Sequence, residues 1–303
     1  LADVNLLNET GLSLDRLLSF CRVADAGGVT RAANGDPTKQ SLYSRQIKEL
    51  EGFFGVELIQ RKGRGIVLTP AGRRLRVVVR ECFAVLEDFK SQCNASPVGV
   101  VVAAGESIIQ WLLLPRLPHI RKTLPETELK ILNLPTSQVV DRLVDGTVDF
   151  GIVRKTAVTK PLIGKSLGSF RYALFVPEAL CLERKASESS RLLMNLPLAT
   201  LEGEGAFRKA LDRQARKEEL TLRIELECAS FPLVARAVQT EALAAILPTL
   251  AAGELRGAKA REFRLDILSA LEREMCIAWN PRLLRIRPAL EPIKTKMAKM
   301  LVF

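Results

Sequence analysis

Four polar residues on one helical stretch are the first candidates for chemistry: Gln40, Ser41, Ser44 and Arg45, with Lys39 and Lys48 alongside. Arg and Gln offer paired hydrogen bonds that match base edges, while Ser, Lys and a helix N-terminus can hold phosphates. Tyr43, Ile47, Leu50 and Phe54 recur at helical spacing over the same stretch, from 39 to about 52, so the polar set faces away from an apolar base. Just upstream, Thr30-Arg31-Ala32-Ala33 reads as a short helix of small residues ending at Asn34-Gly35. Asp36-Pro37-Thr38 then breaks the chain and offers a cap for the next helix. Two short helices crossing at a tight turn have helix-turn-helix geometry, with the second helix lying in a major groove. Downstream, residues 56–59 and 66–68 flank Arg61-Lys62-Gly63-Arg64-Gly65, a hairpin with three cations at its tip. Such a wing suits the phosphate backbone or the minor groove, and an ordinary charged hairpin is the plainer alternative.

Catalytic and metal-binding patterns are missing from the sequence. His119 is the single histidine and sits in a helix-like segment, LPHIRK, where a structural role is expected. The six cysteines, at 21, 82, 93, 181, 228 and 276, show no CxxC pair or metal-ligand spacing. Gly164-Lys165-Ser166 lacks the glycine that a phosphate loop needs five residues earlier, where Thr159 stands. Gly203-Glu204-Gly205 is a lone glycine pair, a weak nucleotide signal. No enzyme activity, cofactor or metal is therefore expected. Thiol redox sensing through Cys181 and Cys228 is an alternative that no local feature supports.

The elements that must position these residues follow from capping and periodicity. Ser13 can cap a first helix whose Leu14, Leu17, Leu18, Cys21 and Ala24 share a face, and Gly27-Gly28 ends it. Thr69-Pro70 starts a long helix running to about Cys93. In it, Leu75, Val79, Cys82, Leu86, Phe89 and Cys93 step by 4, 3, 4, 3, 4, a heptad seam favouring a contact between two chains. Two recognition helices about one DNA turn apart need such a spacer. Asn94-Ala95-Ser96-Pro97 is a polar hinge. Beyond it, strand patterns at 98–103, 129–134 and 149–153 alternate with helical patterns at 107–123 and 137–145, and further strands fall at 172–176, 198–201, 222–228, 244–247 and 275–279. That alternation predicts an α/β domain with a mostly parallel sheet. Ligands gather beyond the carboxyl ends of such strands, which singles out Gly105, Glu106 and Ser107, then Thr136 and Ser137, then Thr200 and Glu202. Ser107 and Ser137 serve equally well as helix caps. Glu106 and Glu202 leave a carboxylate ligand only slightly favoured over a cationic or neutral one.

Length and charge agree with two domains and an anionic partner. The chain has 303 residues, 48% hydrophobic and 26% charged, with a net charge of +11. Residues 39–80 carry ten Lys and Arg against three acids, yet residues 97–303 still hold +8, so DNA contact explains only the local cluster. The first eleven residues lack a signal-peptide form, and no apolar run reaches about twenty residues. A cytoplasmic protein without membrane contact is expected, its thiols reduced.

TRAA, QS-x-x-SRQI-x-x-LE and FGVEL-x-x-R-x-GRG-x-x-LTPAG together resemble the N-terminal domain of the LysR-type transcriptional regulators over about sixty residues. The family usually has an apolar residue where Asp36 stands, a small or hydroxyl residue where Lys39 stands, and often Pro where Ser41 stands. More loosely, WLLLPRL, DRLVDGTVDFGIV and an ILP ending near Pro248 resemble the family's effector domain, although Thr240 and Glu241 replace its usual glycines. The resemblance implies a winged helix-turn-helix over 1–68, a linker and dimerisation helix over 69–94, and an effector domain over 97–303 similar to periplasmic solute-binding proteins. Subdomain I would comprise about 97–170 plus 277–303, and subdomain II about 171–276. It also implies double-stranded DNA and a small-molecule effector as partners, and a homodimer or homotetramer. Thr30, Arg31, Lys39, Gln40, Ser41, Ser44, Arg45 and Arg64 would touch DNA, and Leu75, Val79, Cys82, Leu86 and Phe89 would form the dimer seam. The alternatives are a regulator without a small ligand or with thiol redox sensing, and a soluble ligand-binding sensor that does not touch DNA.

Overall fold

The computed structural model describes residues 11–63, 65–184, 192–203 and 205–303. They form two compact units. One runs to Ser96 and includes Asp145–Thr147 and Arg285–Arg287, and the other holds the rest.

In the first unit, local hydrogen bonds decide where helices begin. Helix α1 (Leu14–Ala26) starts where Ser13 accepts the Arg16 N–H at 3.2 Å and ends at Gly27, whose φ is 65°. The short α2 (Val29–Ala32) follows. Helix α3 (Pro37–Phe54) starts two residues earlier than the periodicity suggests, because Asp36 accepts the Thr38 and Lys39 amides and Pro37 suits the first helical position. The wing is β1 (Ile59–Lys62) paired antiparallel with β2 (Gly65–Leu68). Its first strand begins later than residue 56 because the Glu51 carboxylate accepts the Leu58 and Ile59 amides and fixes the entry. Helix α4 (Pro70–Cys93) starts where the Thr69 hydroxyl accepts the Gly72 N–H at 3.0 Å and donates to the Glu57 carbonyl at 2.7 Å. Gly72 is required there, since a Cβ would stand 2.0 Å from the Leu58 carbonyl oxygen.

The core of this unit unites Phe20, Val23, Tyr43, Ile47, Leu50, Leu58 and Val79. Two of the expected stripes are corrected by it. Leu14 is 53% exposed while Phe20 and Val23 are fully buried, so the inner face of α1 is rotated from the expected one. Phe54 lies past the last buried turn of α3 and is 37% exposed, leaving Tyr43, Ile47 and Leu50 as the base.

The second unit contains two five-stranded sheets. The first has the order β4-β3-β5-β12-β6, with β3 (Val98–Ala104), β4 (Thr127–Asn133), β5 (Phe150–Arg154), β6 (Ile163–Phe170) and β12 (Arg273–Trp279). The second is β11-β7-β10-β8-β9, with β7 (Tyr172–Pro177), β8 (Leu198–Leu201), β9 (Ile224–Cys228), β10 (Ala244–Pro248) and β11 (Ala260–Phe263). The connecting helices are α5 (Glu106–Ile108), α6 (Leu114–Thr123), α7 (Thr136–Val144), α8 (Glu178–Arg184), α9 (Leu192–Asn195), α10 (Ala206–Lys217), α11 (Phe231–Gln239) and α12 (Ala252–Leu255), with α13 (Pro281–Ile286) and α14 (Leu290–Met300) closing the chain.

Neither sheet is mostly parallel. Pairings β3–β4, β3–β5, β8–β9 and β8–β10 are parallel, but β12 runs antiparallel to β5 and β6, and β7 antiparallel to β10 and β11. The chain leaves the first sheet after Phe170 and returns with β12, so the strands flanking these crossings run against the parallel set. Because β12 begins at Arg273, the return falls before 277. Strands β6 and β11 have no counterpart among the strands read from the sequence, since Gly164 and Gly168 interrupt the pattern of β6 and β11 is only four residues long. Residues 106–123 form one helical run with a π turn at Ile109–Leu113. That turn delivers Trp111 into the core of the second sheet, where its Nε1 donates to Glu254 at 2.7 Å.

Candidate nucleic-acid interface and ligand cleft

Once Tyr43, Ile47 and Leu50 are buried, helical geometry leaves the opposite face of α3 to solvent. Lys39, Ser41, Ser44, Arg45 and Lys48 are all exposed there. The Arg45 side chain is 71% exposed, and its Nε stands 3.7 Å from Glu49, which Arg16 already holds more closely. An exposed pair of that kind contributes about 0–1 kcal/mol, so the guanidinium is free to reorient toward a base edge. Lys39 leans on Asp36 at 3.8 Å in the same loose way.

The remaining predicted contacts are tied into the unit itself. Gln40 is half-buried and accepts the Thr30 hydroxyl at 3.3 Å, which joins α2 to α3. Arg31 is exposed, but its guanidinium donates to the Gly27 carbonyl, which also accepts the Ile66 amide at 3.1 Å. Arg31 therefore ties α2 to the same carbonyl that holds β2 of the wing. Asp36 occupies the first amides of α3, so the helix N-terminus is not open to a phosphate as the sequence suggested. On the wing, Arg61 and Lys62 are exposed, while Arg64 lies outside the described residues.

The seam on α4 divides. Leu75 and Val79, joined by Phe83, pack on the unit's own core. Cys82, Leu86, Phe89 and Cys93 face solvent, Phe89 with 63% of its surface, and Val78 and Val85 lie exposed beside them. The outward apolar face thus starts at Val78. Sequence spacing alone could not separate it from the inner row, because both repeat every three or four residues.

In the second unit, β3 leads into α5, which packs on α11 after β9, and β8 runs parallel beside β9, so the carboxyl ends of β3 and β8 share the side where the two sheets approach. Gly105 is the cap residue of α5 and has no side chain, so Ser107 is helical and not a cap. Glu106, Ser137 and Glu202 are exposed, and Thr136 and Ser107 are half-buried. Thr200 differs from all of these. Its residue is 5% exposed and its Oγ1 is buried without a hydrogen-bond partner among the described residues. An orphaned buried hydroxyl costs about 1–3 kcal/mol unless something pairs with it.

Burial pushes the thiols of Cys21 and Cys276 up to about 11. It also raises Cys181, and raises Cys228 with help from the Glu202 carboxylate. These groups are held as neutral thiols, the reverse of what a reactive cysteine needs. Gly164, Lys165 and Ser166 lie on the edge strand β6, where the Ser166 hydroxyl donates to Glu274. Among the described residues no cluster of three metal-ligating side chains occurs, and no helix is long and apolar enough to cross a membrane.

Comparison with known proteins agrees with this division. Residues 14–73 match the model for bacterial regulatory helix-turn-helix proteins of the lysR family, and residues 99–291 match the LysR substrate binding domain. The chain is 32% identical over 145 residues to the uncharacterized HTH-type transcriptional regulator YfeR of Shigella flexneri, covering 46% of this chain and 47% of that relative. Full-length OxyR from Pseudomonas aeruginosa, carrying a cysteine-to-aspartate substitution, shares the fold with a TM-score of 0.66 at 21% identity, over 96% of this chain and 94% of that one. Full-length CbnR complexed with its target DNA does so with a TM-score of 0.59 at 19% identity, over 91% and 97%. A capped, outward-facing second helix on a buried apolar base, followed by a two-sheet α/β unit that matches the family model, makes this chain a member of the LysR family of transcriptional regulators.

Proposed function

We propose that the chain binds a specific double-stranded DNA site through α3 and the wing, and that a small molecule in the cleft between the two sheets controls this binding. The observation that carries the reading is the exposed Arg45 on the polar face of a helix whose other face is buried. Arg45, Ser41 and Ser44 meet base edges or major-groove phosphates, and Lys39 and Lys48 add charge. Thr30, Arg31 and Gln40 brace the two helices and approach the backbone, and Arg64 serves the wing. The DNA complex of CbnR supports the same use of the fold. Action is by binding rather than catalysis, in the bacterial cytoplasm.

Two copies pair through the outward face of α4, with Cys82, Leu86 and Phe89 at its centre. Further association makes a tetramer. The ligand is polar at one end, because Thr200 holds a hydroxyl that has no partner among the described residues. Gly105, Glu106, Ser107, Thr136, Ser137 and Glu202 surround the same strand ends. Closing on a ligand changes the spacing of the paired DNA-binding units, provided the ligand prefers one arrangement.

Fluorescence anisotropy with duplex DNA tests the reading. Specific binding that falls steeply with salt is expected. A complete lack of binding at low salt would leave a ligand sensor with no DNA partner.

A further inference from the structure

A cavity of about 620 Å³ opens beside the two crossings between the sheets, and none of the residues singled out for the cleft lines it. Phe170, Arg171 and Tyr172 contribute the outgoing crossing, and the segment from Arg264 to Glu272 the returning one. Its floor is apolar and dense. Phe170, Tyr172, Leu265 and Leu268 are all buried, and Phe170 lies 5.5 Å from the Tyr172 ring and 5.9 Å from Phe303.

The rim carries charges of both signs: Arg171 and Arg264 against Asp266 and Glu272. Arg171 and Glu272 form only a loose exposed pair at 3.9 Å. Arg264 engages Glu262 through Nε at 3.1 Å, and among the described residues its terminal nitrogens make no hydrogen bond. The Asp266 carboxylate likewise has no ion pair or hydrogen bond there. An unused guanidinium edge and an unused carboxylate thus stand two residues apart above an aromatic floor.

We propose that this cavity is a second ligand site, for an α-amino acid with an aromatic or large apolar side chain. A plain carboxylate would meet two acids on the rim, and a plain amine two guanidiniums. A zwitterion offers its carboxylate to Arg264 and its ammonium to Asp266, the charge-assisted pairings that contribute most, while its side chain covers Phe170 and Phe303. A molecule seated there touches both crossings at once and resists any change in the angle between the sheets.

Isothermal titration of the full-length protein with L-phenylalanine tests this. Saturable binding is expected, with 3-phenylpropionate and phenethylamine each weaker by about tenfold. Arg264→Gln and Asp266→Asn should each weaken L-phenylalanine by about tenfold. Ser269→Trp, which fills the cavity from its exposed side, should abolish binding, and Thr200→Val should leave it unchanged. The proposal is overturned by three results: no binding at millimolar L-phenylalanine, equal binding of 3-phenylpropionate, or binding that survives Ser269→Trp and vanishes in Thr200→Val.

Discussion

The DNA-facing unit and the ligand-facing unit use their polar residues in opposite ways. On α3 the working side chains come from one continuous stretch, lie in solvent and rest on a base that is already complete. At the proposed cleft they arrive from three separate strand ends, at residues 105–107, 136–137 and 200–202, and the distinctive one, Thr200, is buried and, among the described residues, unpaired. A surface helix needs only its own periodicity and a core behind it. A cleft needs two sheets to hold it, and it can keep an unpaired hydroxyl only because the rest of each sheet is stable. Substitutions on the recognition face should therefore change binding without changing stability, whereas substitutions in the cleft should change both.

The largest expected effect tests the base of the first unit. Leu50→Ala removes a fully buried side chain beneath α3 and should lower stability by about 2–5 kcal/mol. Thermal unfolding should show this together with lost DNA binding, and a near-neutral result would mean that α3 does not depend on that core.

Arg45→Ala should leave the melting temperature unchanged while reducing discrimination between specific and altered sites by about 1–3 kcal/mol. Arg64→Ala should weaken binding evenly across sequences. Competition binding with single-base variants separates the two, and equal, sequence-blind losses from both would remove the distinction between helix and wing.

Alkaline unfolding sharpens the comparison from within the second unit. Cys276 is raised to about 11 by burial, with Glu274 adding to it. The folded state therefore keeps its proton where the unfolded chain has lost it. Its contribution is complete below the ordinary thiol range and declines as pH rises from about 9 to about 11, by on the order of 1–3 kcal/mol. Cys276→Ala should flatten that decline in denaturant titrations across the window, and an unchanged slope would assign the loss to other groups.

The smallest effect concerns Thr200. Replacing it with Val removes an orphaned hydroxyl at nearly constant volume, so the ligand-free protein should gain about 1 kcal/mol. The same variant should lose ligand-induced stabilisation. A destabilised Thr200→Val protein would mean that the hydroxyl already has a partner when no ligand is bound.

Legibility differed between the units for the same physical reason. In the first, Ser13, Asp36 and Thr69 cap helices through bonds to amides only two or three residues away, and the sequence displays both ends of each bond. The strands β8 and β10 were legible as apolar runs, being buried on both faces. Strands β6 and β11 were not, because glycines at 164 and 168 interrupt the one and the other is only four residues long. Nor could spacing divide α4 into its inner row of Leu75, Val79 and Phe83 and its outer row from Val78 to Cys93.

By itself, the order of residues determined the caps at Ser13, Asp36 and Thr69, the turn at Gly35, the Tyr43, Ile47 and Leu50 base of α3 and the outward set around Arg45, since each depends on neighbours within about one helical turn. Tertiary structure alone decided the antiparallel return through β12, the burial of Thr200 without a partner, and the meeting of Arg264, Asp266 and Phe170 around one cavity. Those features join segments tens of residues apart, and only the packing of two sheets determines which side chains meet and which remain unsatisfied.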